Sequence, residues 1–199
     1  MTTRKSTKGQ HFTSDYIDYD VAEREGNALL WGTNPMIGFY IIFSINTGLR
    51  VSDVMKLKHS DLNGARPGTT FWVKEKKTKK EREVYISEKI AKAYAHLVET
   101  LRAKEKYNPE GFVFVSREGS PYATGSLITI LKATFRGIVP NVSTHSLRKT
   151  FGRHLYNING QSENALIQLS EIFNHSSIGI TRTYLGFSRE ERINIYKNL

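Results

Sequence analysis

Cysteine is absent from the 199-residue chain, which removes disulfides, thiolate nucleophiles and the common Cys-containing zinc sites. No apolar run approaches the roughly 20 residues that cross a bilayer. No basic amphipathic anchor stands out either, and nothing at the N-terminus reads as a signal peptide. The expectation is a cytoplasmic chain with no membrane partner. Proline is scarce at 5 residues and forms no Pro/Gly-rich stretch, so a single well-packed domain with a tail is the simplest organisation. Carboxylates are also in short supply: 19 Asp and Glu face 29 Lys and Arg, for a formal net charge of +10 and a pI near 9.7. A field of that sign draws polyanions, and nucleic acid is the leading candidate. The few carboxylates do not cluster, so a metal-dependent nuclease would lack its ligands, and no metal or other cofactor is expected.

What is present alternates between helical and strand periodicity. Residues 1–11 are Thr-, Lys- and Ser-rich without period and read as a flexible basic tail. Ser14 opens an irregular helical segment running to Leu29-Leu30, with a break expected at Gly26. Asn34-Pro35 starts a helix that is apolar nearly all round and stops at Asn46-Thr47-Gly48. Arg50 follows at the turn and launches a further helix through Val54, Met55 and Leu57. Thr70–Val73 and Glu83–Ile86 alternate as the strands of a hairpin whose turn is rich in lysine. Ser87 caps a long helix reaching about Lys106. Phe112–Val115 is a short buried run, and Thr124 opens a helix through Phe135. Ser143 or Thr144 caps a helix over His145–Leu155, Ser162–Phe173 forms another, Ile180–Tyr184 a short one, and Ser188–Tyr196 a tail helix. The fold class is therefore mainly α with a small antiparallel β-sheet (α+β).

Chemistry-bearing residues gather late in the chain. His145 and Arg148 stand three apart on one helical face, while Leu147, Phe151 and Leu155 mark a face to be buried. His175 sits in the polar turn Phe173-Asn174-His175-Ser176-Ser177, and Tyr184 follows nine residues later. Tyrosine can act as a nucleophile, and arginine grips phosphate with paired N–H donors. Singly, each of these is an ordinary solvated or packed side chain. In this order, however, His145-Ser146-Leu147-Arg148, Asn174-His175-Ser176 and Tyr184, preceded by Thr47-Gly48-Leu49-Arg50, closely resemble the catalytic domain of the tyrosine recombinase (phage integrase) family. The resemblance covers residues 12–199.

The resemblance implies the fold of that catalytic domain and a site made of Arg50, Lys77, His145, Arg148, His175 and Tyr184. Lys77-Thr78 lies seven residues before the strand residue Val84, as the family's hairpin lysine does, with Lys76 and Lys79 as competitors. Asp53 takes the place of a family acidic residue and is expected to brace Arg50. Asn174 departs from the pattern, since the family usually has Gly before the second histidine. The implied activity is cleavage and rejoining of double-stranded DNA through a 3′-phosphotyrosyl intermediate, without metal or ATP. The implied assembly is four protomers on two DNA sites, and a monomer when DNA is absent. Residues 1–11 would be a linker remnant from a separate DNA-binding domain. A type IB topoisomerase or hairpin-end resolvase would share the chemistry, and a non-catalytic DNA-binding module would share the fold.

Overall fold

The computed structural model describes residues 14–116, 118–187, 193–194 and 196–199. The basic tail at residues 1–11, and most of the tail helix expected from Ser188 to Tyr196, lie outside the described residues. Eight α-helices are seen among those described: α1 (Tyr19–Leu30), α2 (Pro35–Thr47), α3 (Val51–Val54), α4 (Glu88–Ala103), α5 (Thr124–Thr134), α6 (Thr144–Ile158), α7 (Glu163–Phe173) and α8 (Ile178–Leu185). One antiparallel hairpin, β1 (Thr70–Lys74) and β2 (Glu81–Tyr85), completes the mainly α architecture.

The centre is α2. Ile37 through Ile45 are all buried on it, so the helix has no polar face and must be surrounded. Asn34 caps its N-terminus through Oδ1 with Pro35 in the first turn, and Gly48 ends it in the left-handed conformation, φ 61°. Around α2 pack α1, α4 and α6. A second, smaller core of Leu166, Leu169, Phe173, Leu185 and Phe187 joins α6, α7 and α8. The candidate site lies where these two cores meet.

Several expectations are corrected. Helix α1 starts at Tyr19 with Asp18, not Ser14, accepting hydrogen bonds at its N-terminus. It also continues unbroken through Gly26, because that glycine serves packing: a Cβ there would lie 3.0 Å from Ile41 and Ile42 side chains. The helix after Arg50 is one turn long instead of running to Leu57. The backbone beyond it is claimed by a different partner, since Val113 N donates to Leu57 O and His59 N to Gly111 O. Helix α4 ends at Ala103, before the expected Lys106. Helix α8 is longer than expected, starting at Ile178 behind a Ser177 cap.

At the crossing of α1 and α2, a Cβ on Gly38 would lie 2.2 Å from the Leu30 backbone nitrogen. Backbone cannot yield there as a side-chain tip can. Gly38→Ala is expected to lower stability by about 1–3 kcal/mol, or ~3–10 °C in Tm, measured by thermal unfolding. An unchanged Tm would show that the two helices separate at no cost.

Candidate active site

Arg50 leaves the left-handed turn after α2. Arg148 leaves the first turns of α6, whose N-terminus Ser143 caps. The two guanidiniums meet on one atom. Arg50 Nη2 and Arg148 Nη2 each donate to the carbonyl oxygen of Phe173 at 3.1 Å. This carbonyl ends α7, and it is aimed by Asn174, which adopts the left-handed conformation (φ 56°, ψ 44°). Asparagine is among the side chains that tolerate that region best, so it can stand where glycine is usual. Its Oδ1 accepts a bond from Lys80 Nζ at 3.0 Å. Arg148 is held further by a hydrogen bond from Nη1 to the Gly48 carbonyl and by the Phe173 ring, 4.3 Å from its guanidinium carbon.

Arg50 has a different brace from the one expected. Its Nη1 pairs with Glu75 Oε2 at 2.7 Å, and Thr78 Oγ1 donates to the same oxygen at 2.8 Å. Burial raises the Glu75 pKa, but the Thr78 bond and the charges of Arg50 and Arg148 outweigh it, leaving the carboxyl below its usual range. Asp53 instead accepts the Lys76 backbone N–H at 2.9 Å. Asp53 therefore fixes the hairpin turn, and Glu75 from that turn fixes Arg50.

A third arginine, Arg82, joins them. On β2, period two puts Arg82 on the same face as buried Val84, and its Nη2 donates to the Thr47 carbonyl at 2.5 Å. Burial, ahead of the positive charge of Arg50, pulls its pKa down to about 10 against the pull of Glu75 and Asp53. Burial acts likewise on Arg148, also down to about 10. Asp53 Oδ2, Glu75 Oε1 and Arg82 Nη1 are buried without hydrogen bonds. Three guanidiniums against two carboxylates leave the centre electropositive.

Beside Arg50 and Arg148 opens a cavity of about 270 Å³, lined also by Lys77, His145, Thr144 and Ser52. Lys76 and Lys79 do not line it. His175, in the turn after α7, has Nδ1 3.0 Å from Thr181 Oγ1. Partial burial, then Arg148, Arg50 and Lys77, lower its pKa to about 4. His145 is lowered too, by partial burial and then by Arg148, Lys149, Arg50 and Lys77, although its side chain reaches solvent at the mouth of the site. Tyr184 sits edge-to-face against Phe173, His175 and His145, with ring centroids at 5.5, 5.4 and 6.4 Å. Its hydroxyl is buried and makes no hydrogen bond of ordinary geometry. Burial raises its pKa to about 12, opposed by the nearby Arg148 and Arg50.

Arg50, Lys77, His145, Arg148, His175 and Tyr184 thus converge on one place. Glu75, Arg82 and the Phe173 carbonyl were not foreseen. Only Arg82 left a trace, as a charge on the buried face of an alternating strand. Among the described residues no group of His, Asp and Glu is arranged to hold a metal, and no helix is long and apolar enough to cross a membrane.

The fold and the sequence have known counterparts. The phage integrase family model matches residues 37–191. The probable integrase/recombinase YoeC of Bacillus subtilis is 31% identical over 176 residues, 87% of this chain and 90% of that protein. The tyrosine recombinase XerD of Listeria innocua is 30% identical over 156 residues, 76% of this chain but 50% of that protein. The chain thus spans about half the length of such Xer relatives. Among solved structures, XerA recombinase superposes with TM-score 0.68 at 21% identity, covering 95% of this chain and 66% of that one. A lambda integrase fragment bound to a core site superposes with TM-score 0.60 at 16% identity, covering 86% and 59%. The class is that of the tyrosine recombinases. The chain belongs to the phage integrase family.

His175 supplies a test of this electrostatic picture. Its pKa is depressed in the folded state, so the folded protein resists protonation that the unfolded chain accepts. The stability it contributes is present above about pH 6.5 and is lost as pH falls toward about 4. DNA-free protein should therefore lose Tm across that window, and His175→Gln should flatten the loss. Parallel pH profiles for the two proteins would contradict a depressed His175.

Proposed function

We propose that this chain is a site-specific DNA recombinase that cuts a strand of double-stranded DNA and rejoins it through a covalent bond to Tyr184. The carrying observation is convergence: Arg50 and Arg148 share one carbonyl and border a cavity with Lys77 and His145, with His175 and Tyr184 against them. The family and its relatives named as tyrosine recombinases support the reading. Several similar folds are of integrases and recombinases in complex with DNA, which together with the +10 charge supports DNA as partner.

In the proposed reaction the Tyr184 oxygen attacks phosphorus, the bond from phosphorus to the 5′-oxygen breaks, and a 3′-phosphotyrosyl ester forms. The 5′-hydroxyl of a partner strand reverses the step. The ester retains the bond energy, so the scheme needs no ATP. Negative charge grows on the non-bridging oxygens, and Arg50 and Arg148 clamp it, supplying the positive charge that a metal supplies elsewhere. His175 remains neutral near pH 7, so for Nε2 to donate to phosphate its Nδ1 must accept from Thr181. Lys77, on the pinned hairpin, gives the departing 5′-oxygen its proton. His145 takes up the tyrosine proton. With a pKa near 12, forming phenolate at pH 7 costs roughly 7 kcal/mol, so Tyr184 is stowed as the neutral phenol until DNA arrives. Four protomers on two DNA sites would complete the exchange.

A duplex nicked next to the cleavage position traps the ester. Tyr184→Phe should abolish the protein–DNA adduct, and the adduct peptide from the unaltered chain should map to Tyr184. An adduct on Tyr196, or an undiminished one in the variant, would remove Tyr184 from the role.

The supporting groups separate by substrate. Arg50→Ala and Arg148→Ala should each slow cleavage ~10²–10³-fold while weakening DNA binding far less. Lys77→Ala should lose about 10²–10⁴-fold on ordinary DNA. On a 5′-bridging phosphorothiolate, whose thiolate leaves without a proton, it should recover, and Arg148→Ala should not. Recovery by Lys79→Ala in its place would move the acid to Lys79.

A further inference from the structure

Helix α6 faces the site with Arg148. Its neighbouring face, made of Lys149, Thr150 and Arg153, holds something else: the backbone that leads into the domain at Ser14–Ile17. Lys149 Nζ donates to the Ser14 carbonyl at 2.7 Å. Ile17 N donates to Thr150 Oγ1 at 3.0 Å, and that hydroxyl lies 2.8 Å from the Ile17 carbonyl. Tyr16, between them, lays its ring 4.4 Å from the Arg153 guanidinium carbon. The Phe187 ring lies 4.2 Å from the same carbon, so the guanidinium rests on both rings, and Arg153 is nearly fully buried.

Arg153 then reaches the helix that bears the tyrosine. Its Nε donates to the carbonyl of Leu185 at 2.9 Å, the residue after Tyr184. Gly186, left-handed at φ 84°, ends α8 at that point, and a Cβ there would lie 3.5 Å from Arg153 Nη2. Lys149 makes a second link, with Nζ 5.4 Å from the centre of the Tyr184 ring. One helical face thus touches the leading segment on one side and the end of the Tyr184 helix on the other.

We propose that Arg153 is a positioning residue for Tyr184, and that its hold on α8 depends on the seating of Tyr16 and the Ser14–Ile17 segment. This rests on the reading of Tyr184 as the nucleophile. A guanidinium flanked by two rings has little freedom, so the Leu185 carbonyl is fixed relative to α6 and hence to Arg148. Unseating Tyr16 removes one of the two rings that flank the guanidinium and so loosens its hold on the last turn of α8. The Ser14–Ile17 segment thereby becomes a control point for strand cleavage without touching the reacting phosphate.

The test is the single-turnover rate of adduct formation by the full chain on a nicked duplex at saturating DNA, with DNA affinity and Tm measured alongside. Arg153→Leu and Tyr16→Leu should each slow adduct formation by about 10- to 100-fold, the scale of a small misplacement of a reacting group, with DNA affinity nearly unchanged. Tyr16→Phe keeps the ring and should behave as the unaltered chain. In the Arg153→Leu background, Tyr16→Leu should add almost nothing, because the two act in series. Losses that multiply in the double variant, or Tyr16→Phe as slow as Tyr16→Leu, would overturn the coupling. Tyr16 is 39% exposed, so its pair of variants decides the matter even where Arg153→Leu fails to fold. Tyr184→Phe separates the two readings. If it abolishes the adduct while Arg153→Leu and Tyr16→Leu react at the normal rate, the nucleophile stands and the coupling falls; if the adduct persists in Tyr184→Phe, the nucleophile reading itself falls.

Discussion

Everything at the site depends on one carbonyl oxygen, that of Phe173, accepting hydrogen bonds from two guanidiniums at once. Like charges repel, and two arginines a few ångströms apart in a largely buried place would separate unless something negative lay between them. The last carbonyl of α7 supplies it, since the C-terminal end of a helix carries unsatisfied oxygens and partial negative charge. Asn174 turns the chain left-handed immediately afterwards, so the oxygen is presented to Arg50 and Arg148 and is not consumed by a further turn of helix. Helix α7 belongs to the smaller core and the two arginines spring from elements around the larger one. The carbonyl therefore also registers the two cores against each other.

The second constraint is charge balance. Burying guanidiniums is costly unless each is bonded and compensated. Arg50 receives Glu75, Arg82 receives the Thr47 carbonyl with Glu75 and Asp53 nearby, and Arg148 receives two backbone carbonyls. The compensation is incomplete in a useful direction. The excess positive charge, with Arg50, Arg148 and Lys77 lining the cavity, favours an anion there, and the same charges together with partial burial keep the two histidines neutral. The same field opposes burial at Tyr184 by favouring phenolate, although burial prevails in the arrangement seen here. The hairpin is part of this balance and not an appendage: Asp53 grips its turn at Lys76, Glu75 returns the grip to Arg50, and Lys77 is left facing the cavity.

Much of this was legible in the sequence because it is written in local chemistry. Side-chain caps at Asn34, Ser87, Ser143 and Ser162, and the glycine stop at Gly48, mark helix ends through bonds made within a few residues. Alternation exposes the hairpin, and the spacing of His145, Arg148, His175 and Tyr184 carries the family resemblance. What was illegible depends on distant partners. Gly26 reads as a helix breaker until Ile41 and Ile42 are seen to need its missing side chain. The helix after Arg50 reads as long until Gly111–Val113 takes its backbone. Glu75 is one charge in a run of lysines, and nothing nearby in sequence reveals that it, and not Asp53, faces Arg50. A carbonyl such as that of Phe173 has no sequence signature at all.

In the proposed reaction the shared-carbonyl pair Arg50 and Arg148 is a cradle for the phosphate that Tyr184 attacks. Its most direct test is a crystal structure of the chain on DNA interrupted at the cleavage position, with orthovanadate occupying the gap as a mimic of five-coordinate phosphorus. Vanadium should be bonded to Tyr184 Oη, with Arg50, Arg148 and His175 on its equatorial oxygens and Lys77 Nζ beside the 5′-oxygen. Vanadate seated away from the two arginines, or bonded to a different side chain while Tyr184 stays buried, would contradict it.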